Sequence, residues 1–156
     1  MYLDATRTRL AQLGFIQPNT LKPCTKGEIE SLHRSLGSEL PKAYQEFLLL
    51  MGHGAGPILS GTHCFYEDLS EIQSRAAELL KENNSSFSLP DKSFVLLMHQ
   101  GYYFLFFLID GNDDPPLFSY SEGQQDNFVL SFNSFSEFLN AEIEFTTQVL
   151  REQNNR

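Results

Sequence analysis

His53, His63 and Cys64 stand close together in the chain and carry the donor atoms of a transition-metal site. No fourth ligand follows at a standard zinc spacing, so the set predicts neither a metal nor any other cofactor. Cys64 beside His63 would pair a nucleophile with a base, but neighbours in an extended segment point to opposite sides. Ser60-Gly61 and Ser119-Tyr120-Ser121 lack the Gly-x-Ser-x-Gly context that sets a serine on a strained elbow. Gly52-His53-Gly54-Ala55-Gly56 is rich in glycine yet has no Lys-Ser/Thr to complete a phosphate cradle. His33 lies on an apolar helical stripe and reads as a packed or boundary histidine, and His99 sits beside a turn. Reactive groups that converge are what catalysis needs, so the chain reads as a non-enzyme.

The acidic residues are the remaining candidates. Asp110, Asp113, Asp114, Glu122 and Asp126 cluster in sequence after a long apolar run, and Asp114-Pro115-Pro116 stiffens the segment that would present them. Glu67, Asp68 and Glu71 form a second group. Neither has the ligand register of an EF-hand. Twenty Asp and Glu against eleven Lys and Arg give a net charge of -9, a field that repels phosphate backbones and favours a basic protein surface. Asp110, Asp113, Asp114, Glu122 and Asp126 are therefore the candidate partner-binding set, with the groove beside the glycine loop, Gly52 to Gly61, as the alternative surface. No nucleic-acid partner is expected.

Cys24 and Cys64 are too few for a disulfide framework and suit a reducing compartment. Met1-Tyr2-Leu3-Asp4-Ala5 has an acid where a signal peptide needs basic residues. The most apolar stretch, Phe94 to Ile109, is broken by His99-Gln100-Gly101 and falls short of a membrane span. The expectation is a cytoplasmic protein with no membrane partner.

The elements that position these residues follow from caps and periodicity. Asp4 is placed to cap a first helix with Leu3, Leu10 and Leu13 on one stripe and Gly14 as its stop, a packing arm joined by an extended connection from Phe15 to Pro23. Thr25-Lys26-Gly27-Glu28 is a capping box, so a helix starts there, with Ile29, Leu32, His33 and Leu36 inward and Gly37 ending it. Leu40-Pro41 restarts a helix with Tyr44, Phe47, Leu48 and Met51 buried. The glycines from Gly52 to Gly56 predict a loop without regular structure. A helix from Ser70 to about Glu82 has Ile72, Ala76, Leu79 and Leu80 on one side.

The second half predicts strands at Phe94 to Met98, Tyr102 to Ile109, Leu117 to Tyr120 and Phe128 to Phe132, an antiparallel sheet of adjacent strands. Tyr102 to Ile109 lacks polar alternation and should be central, covered on both faces. Ser134-Phe135-Ser136-Glu137 repeats the capping-box pattern and opens a last helix with Phe135, Phe138, Leu139, Ile143, Thr146 and Leu150 inward. The fold class is α+β, with a largely antiparallel central sheet, an N-terminal helical hairpin and a C-terminal helix.

Three of these pieces, in order, resemble the SUKH superfamily, which includes bacterial immunity proteins and fungal cell-wall assembly regulators. Thr25 to Leu32, Leu36-Gly37 and Leu40 to Leu48 resemble its paired N-terminal helices joined by a Leu-Pro step. Phe94 to Met98, Gln100-Gly101 and the aromatic strand to Ile109-Asp110 resemble its central hairpin. Ser134-Phe135-Ser136-Glu137-Phe138-Leu139 resembles the Ser-Phe-x-x-Phe-Leu segment that opens its last helix. The chain departs from the family pattern at Met51-Gly52-His53-Gly54, where many members carry Asn-Gly-Gly, and in having one glycine in the hairpin turn. The resemblance implies one SUKH-like domain over 1–156, with an arm and connection at 1–24, the family core at 25–150 and a frayed tail at 151–156. It also implies a non-enzymatic bacterial immunity protein whose partner is a cognate toxin, often a nuclease in the family, with a regulatory scaffold of the fungal type as the alternative.

Overall fold

The computed structural model describes residues 1–123 and 127–156. In chain order its elements are α1 (Asp4–Gln12), β1 (Leu21–Lys22), α2 (Lys26–Leu36), α3 (Lys42–Met51), β2 (Gly54–Ala55), α4 (Leu69–Glu82), β3 (Ser93–His99), β4 (Tyr103–Leu108), β5 (Leu117–Ser121), β6 (Val129–Phe132) and α5 (Phe135–Asn154). A single 3-10 turn, Tyr66–Asp68, leads into α4.

The Thr25 capping box forms as its spacing requires. The Thr25 hydroxyl accepts from the Glu28 amide at 3.1 Å, and the Glu28 carboxylate accepts from the Thr25 amide at 2.9 Å. At its other end α2 stops on Gly37, whose φ of 69° is a left-handed conformation open to glycine at little cost. Pro41 precedes α3 as its cap instead of occupying the first helical position. On α5 the Ser134 hydroxyl accepts from the Glu137 amide at 3.1 Å, but the Glu137 carboxylate reaches the Asn133 amide and not that of Ser134.

Three local expectations give way, the first two of them to tertiary contacts. Asp4 is the first helical residue of α1 and caps nothing; the buried Glu46 carboxylate takes the amides of Tyr2 and Leu3 instead, at 3.1 and 3.3 Å. Gly54–Ala55, expected in an irregular loop, pairs antiparallel with Leu21–Lys22, so backbone hydrogen bonds impose the order that the glycines alone would not. The tail expected to fray from Arg151 continues as helix to Asn154.

The larger sheet is an antiparallel meander in the order β3-β4-β5-β6. Strand residues alternate between faces, and cross-strand partners share one. Leu97, Leu105 and Phe107 face α3 and α5, where Tyr44 meets Phe107, Phe94, Phe47 and Phe135 at ring separations of 5.3–5.6 Å. Met98, Phe104 and Phe106 face the other way, toward α4 and a cluster of Phe118, Tyr120 and Phe128. The central strand β4 is thus covered on both faces. A register shift between Val95 and Leu97 is held by Gln73 of α4, which accepts from the Val95 amide at 2.9 Å and donates to its carbonyl at 2.6 Å. None of the described helices is long and apolar enough to cross a membrane.

Candidate functional site

The acidic residues that cluster in sequence do not all cluster in space. Asp110, Asp113 and Asp114 follow β4, whereas Glu122 follows β5, which runs antiparallel and returns to the other end of the sheet. Five strand residues separate these ends by roughly 15 Å. Asp126 lies outside the described residues. Asp114 is engaged by α5, accepting from the amide of Ser136 at 2.9 Å and from its hydroxyl. Asp113 accepts from the Tyr2 hydroxyl at 3.0 Å, lies 3.8 Å from the Lys42 ammonium, and offers its carbonyl to the Ala43 amide. Asp110 is exposed and turns its carboxylate to the Asn112 amide. Glu122 is exposed, and its amide donates to the Tyr102 carbonyl.

At that second end the molecule has a groove. Two adjoining hollows of about 440 and 430 Å³ meet between α5, the end of the β3–β4 hairpin and the segment from Pro57 to Thr62. Thr62, His99 and Glu142 line both. The floor of the first is apolar, with Leu97, Leu105, Phe132 and Phe138; the second carries Phe145, which is 63% exposed although aromatic. The wall at Leu59 is held in a left-handed backbone conformation, φ 61°, with its carbonyl accepting from the Thr62 hydroxyl at 2.7 Å.

Glu142 is the unusual member. It is half-buried, makes no hydrogen bond or ion pair with the described residues, and burial alone pushes its carboxyl above the usual glutamate range. A buried carboxylate without a partner is costly, and its demand for a donor faces the groove. Its helical neighbours explain its aim. Phe138 precedes Glu142 by four residues, Phe145 and Thr146 follow it by three and four, and Val149 comes one further turn on, so all five share one face of α5 and line the hollows together. A charged residue on an otherwise apolar stripe of α5 is the sequence signal for this site.

The sequence-adjacent set of His53, His63 and Cys64 is dispersed. His63 is exposed, 3.7 Å from Asp68, with its backbone bridged to Met98. Cys64 is buried and its thiol is pushed up to about 12 by burial; Cys24 is held at about 12 for the same reason. Neither is a nucleophile in this state. His53 instead bridges two carboxylates, Glu28 at 2.8 Å from Nε2 and Glu67 at Nδ1, and these hydrogen bonds hold its imidazole above the usual histidine range.

A search of curated proteins gives no match to the chain. The family model described as SMI1-KNR4 cell-wall, SUKH_6, matches residues 26–139, more than half of the chain, from the first residue of α2 into the first turns of α5. The match covers the helical hairpin, β2, α4, the large sheet and the start of the last helix, in the order the fold presents them. By this match the chain belongs to the SUKH superfamily, a family of immunity and regulatory proteins that generally bind other proteins and are not enzymes.

Proposed function

We propose that this protein is a non-enzymatic immunity protein that binds and neutralises a cognate toxin, and that a basic side chain of the toxin enters the groove to meet Glu142. The observation that carries this reading is Glu142 itself, a half-buried carboxylate with no partner among the described residues, between an apolar floor and the exposed ring of Phe145. An aromatic anchor beside an unmet charge is the composition of an interface hot spot. A lysine or arginine brought there gains a charge-assisted bond and removes the cost of leaving Glu142 unpaired. The net charge of -9 supports a basic partner by steering. A nuclease suits this, because a surface that attracts phosphates is positive. Asp110, Asp113, Asp114, Glu122 and Asp126 enter the proposal as sources of that long-range field.

The test is a binding titration against the toxin encoded beside this gene. Glu142→Gln keeps the shape and removes the charge; loss of a charge-assisted bond of about 1.5–3 kcal/mol lowers affinity by roughly 10- to 100-fold. Phe145→Ala should do at least as much. Wild-type affinity in both variants would remove the groove from the interface. The absence of an adjacent toxin gene, with an endogenous protein captured through the same residues, would make the chain a regulatory scaffold.

A further inference from the structure

We infer that Cys24, Glu28 and His53 form a binding site for a zinc-class transition-metal ion, with Glu67 as the outer partner that orients the histidine. These residues are distant in sequence, and α2, α3 and the turn Tyr66–Asp68 bring them together. The Cys24 sulfur, a Glu28 carboxylate oxygen and a His53 ring nitrogen all lie within 4.8 Å of one another. Ligand atoms around a tetrahedral zinc, with bonds of about 2.0–2.3 Å, stand roughly 3.3–3.8 Å apart, so small side-chain adjustments suffice. Thiolate, imidazole and carboxylate together select zinc or cobalt over calcium or magnesium.

Each ligand is already fixed. Glu28 commits Oε1 to the Thr25 amide in the capping box and points Oε2 at His53, leaving one oxygen to bind. His53 gives Nδ1 to Glu67, the arrangement in which an outer carboxylate sets the tautomer and directs the Nε2 lone pair at the ion. The Tyr66 ring, 5.2 Å from His53, limits its rotation. Cys24 donates its amide to the Leu48 carbonyl at 2.8 Å, and its sulfur occupies space that only a glycine leaves free: a Cβ on Gly52 would lie 2.3 Å from it. The same Cβ would lie 2.7 Å from the Leu48 carbonyl oxygen, so the Cys24 sulfur and the end of α3 together require glycine there, although a φ of -63° does not.

In the absence of an ion Nε2 must carry a proton to bond Glu28, and the Cys24 thiol keeps its own. A divalent cation replaces both, with the protons released to solvent, and forms the thiolate, imidazole and carboxylate bonds of a three-ligand site. Glu28 and His53 are partly exposed, so solvent reaches the fourth position. The ion would pin the start of α2 to the end of α3 at the base of the segment that forms the groove wall.

The experiment is titration of the full-length, chelator-stripped protein with cobalt(II), read by the thiolate-to-cobalt charge-transfer band and the visible bands of four-coordinate cobalt, followed by displacement with zinc. The expected result is one ion per chain, loss of the charge-transfer band in Cys24→Ser, and an affinity about 10- to 100-fold weaker in Glu67→Gln. His53→Ala should bind weakest, while His63→Ala and Cys64→Ser should titrate like wild type. Should Cys24→Ser fail to fold, His53→Ala and Glu67→Gln, altered near the surface and checked by circular dichroism, carry the test alone. A charge-transfer band absent from wild type, or equally strong in folded His53→Ala, would overturn the site.

Discussion

The two ends of the large sheet both carry carboxylates and use them differently. At the end where β4 finishes, Glu46 holds the amides of Tyr2 and Leu3, Asp113 holds Tyr2 and faces Lys42, and Asp114 holds Ser136. Each has donors supplied by the chain itself. At the other end Glu122 and Glu142 have no side-chain partner among the described residues, and Glu142 is half-buried besides. Glu46, Asp113 and Asp114 are satisfied within the fold, whereas Glu122 and Glu142 are left unsatisfied by it, the difference on which the proposed binding role of the second end rests. Acidity alone therefore does not separate the two ends; whether the fold satisfies it does.

The largest expected effect is at the first end. Asp114→Ala removes a charged acceptor from the first turn of α5, where the helix dipole also favours a negative group, and should cost about 1.5–3 kcal/mol in urea denaturation. Glu122→Ala should stay within about 0.5 kcal/mol of wild type. Equal losses would erase the distinction between the ends. The caps come next: Thr25→Ala and Ser134→Ala should each cost on the order of 1 kcal/mol without altering toxin affinity in protein that remains folded.

Glu142 should behave with the opposite sign. A carboxyl whose folded pKa lies above its unfolded value binds more protons folded than unfolded between the two, so stability falls as pH rises through that window. Burial raises Glu142 in this way. Glu142→Gln removes the fall. Its melting temperature should match wild type well below about pH 4.3, the unfolded glutamate value, where the carboxyl is protonated in both states, and exceed wild type at neutral pH. A residue that weakens the free protein and strengthens its complex is the signature of a site kept for function. If Glu142→Gln is less stable than wild type at neutral pH, the carboxylate has a donor inside the fold and the two ends do not differ.

These differences follow the range over which each feature is decided. The Thr25 box, the Gly37 stop and the apolar stripes of α3 and α4 are settled within a few residues, and all were legible in the sequence. So was the order of the four strands, since each pairs with the next in the chain. The pairing of Gly54–Ala55 with Leu21–Lys22, the grip of Glu46 on the N-terminal arm, and the meeting of Cys24 with His53 each join distant segments. No local pattern encodes them. The acidic set divides between the two ends of the sheet for a related reason: one intervening strand, Leu117–Ser121, carries Glu122 to the far end from Asp114. The family pattern supplied the frame but no partner-binding residue.

The smallest expected effect concerns the exposed acids as sources of field. Asp113 and Asp114 are poor probes, because reversing them breaks contacts to Tyr2, Lys42 and Ser136 and any change in binding would be confounded with folding. Asp110 and Glu122 are exposed, and neither side chain reaches across the fold to another element. Charge at the rim acts on diffusional encounter, is screened beyond about 8 Å at physiological salt, and leaves the lifetime of the docked complex nearly unchanged. Asp110→Lys and Glu122→Lys should therefore slow association less than about tenfold at low salt and flatten its salt dependence, with dissociation unaltered. Glu142→Gln should do the reverse, raising dissociation with little change in association. Stopped-flow association and dissociation rates at two salt concentrations separate the two behaviours. Were Asp110→Lys to hasten dissociation as much as Glu142→Gln, the toxin would be seated across both ends of the sheet, and the partition between a structural end and a binding end would be lost.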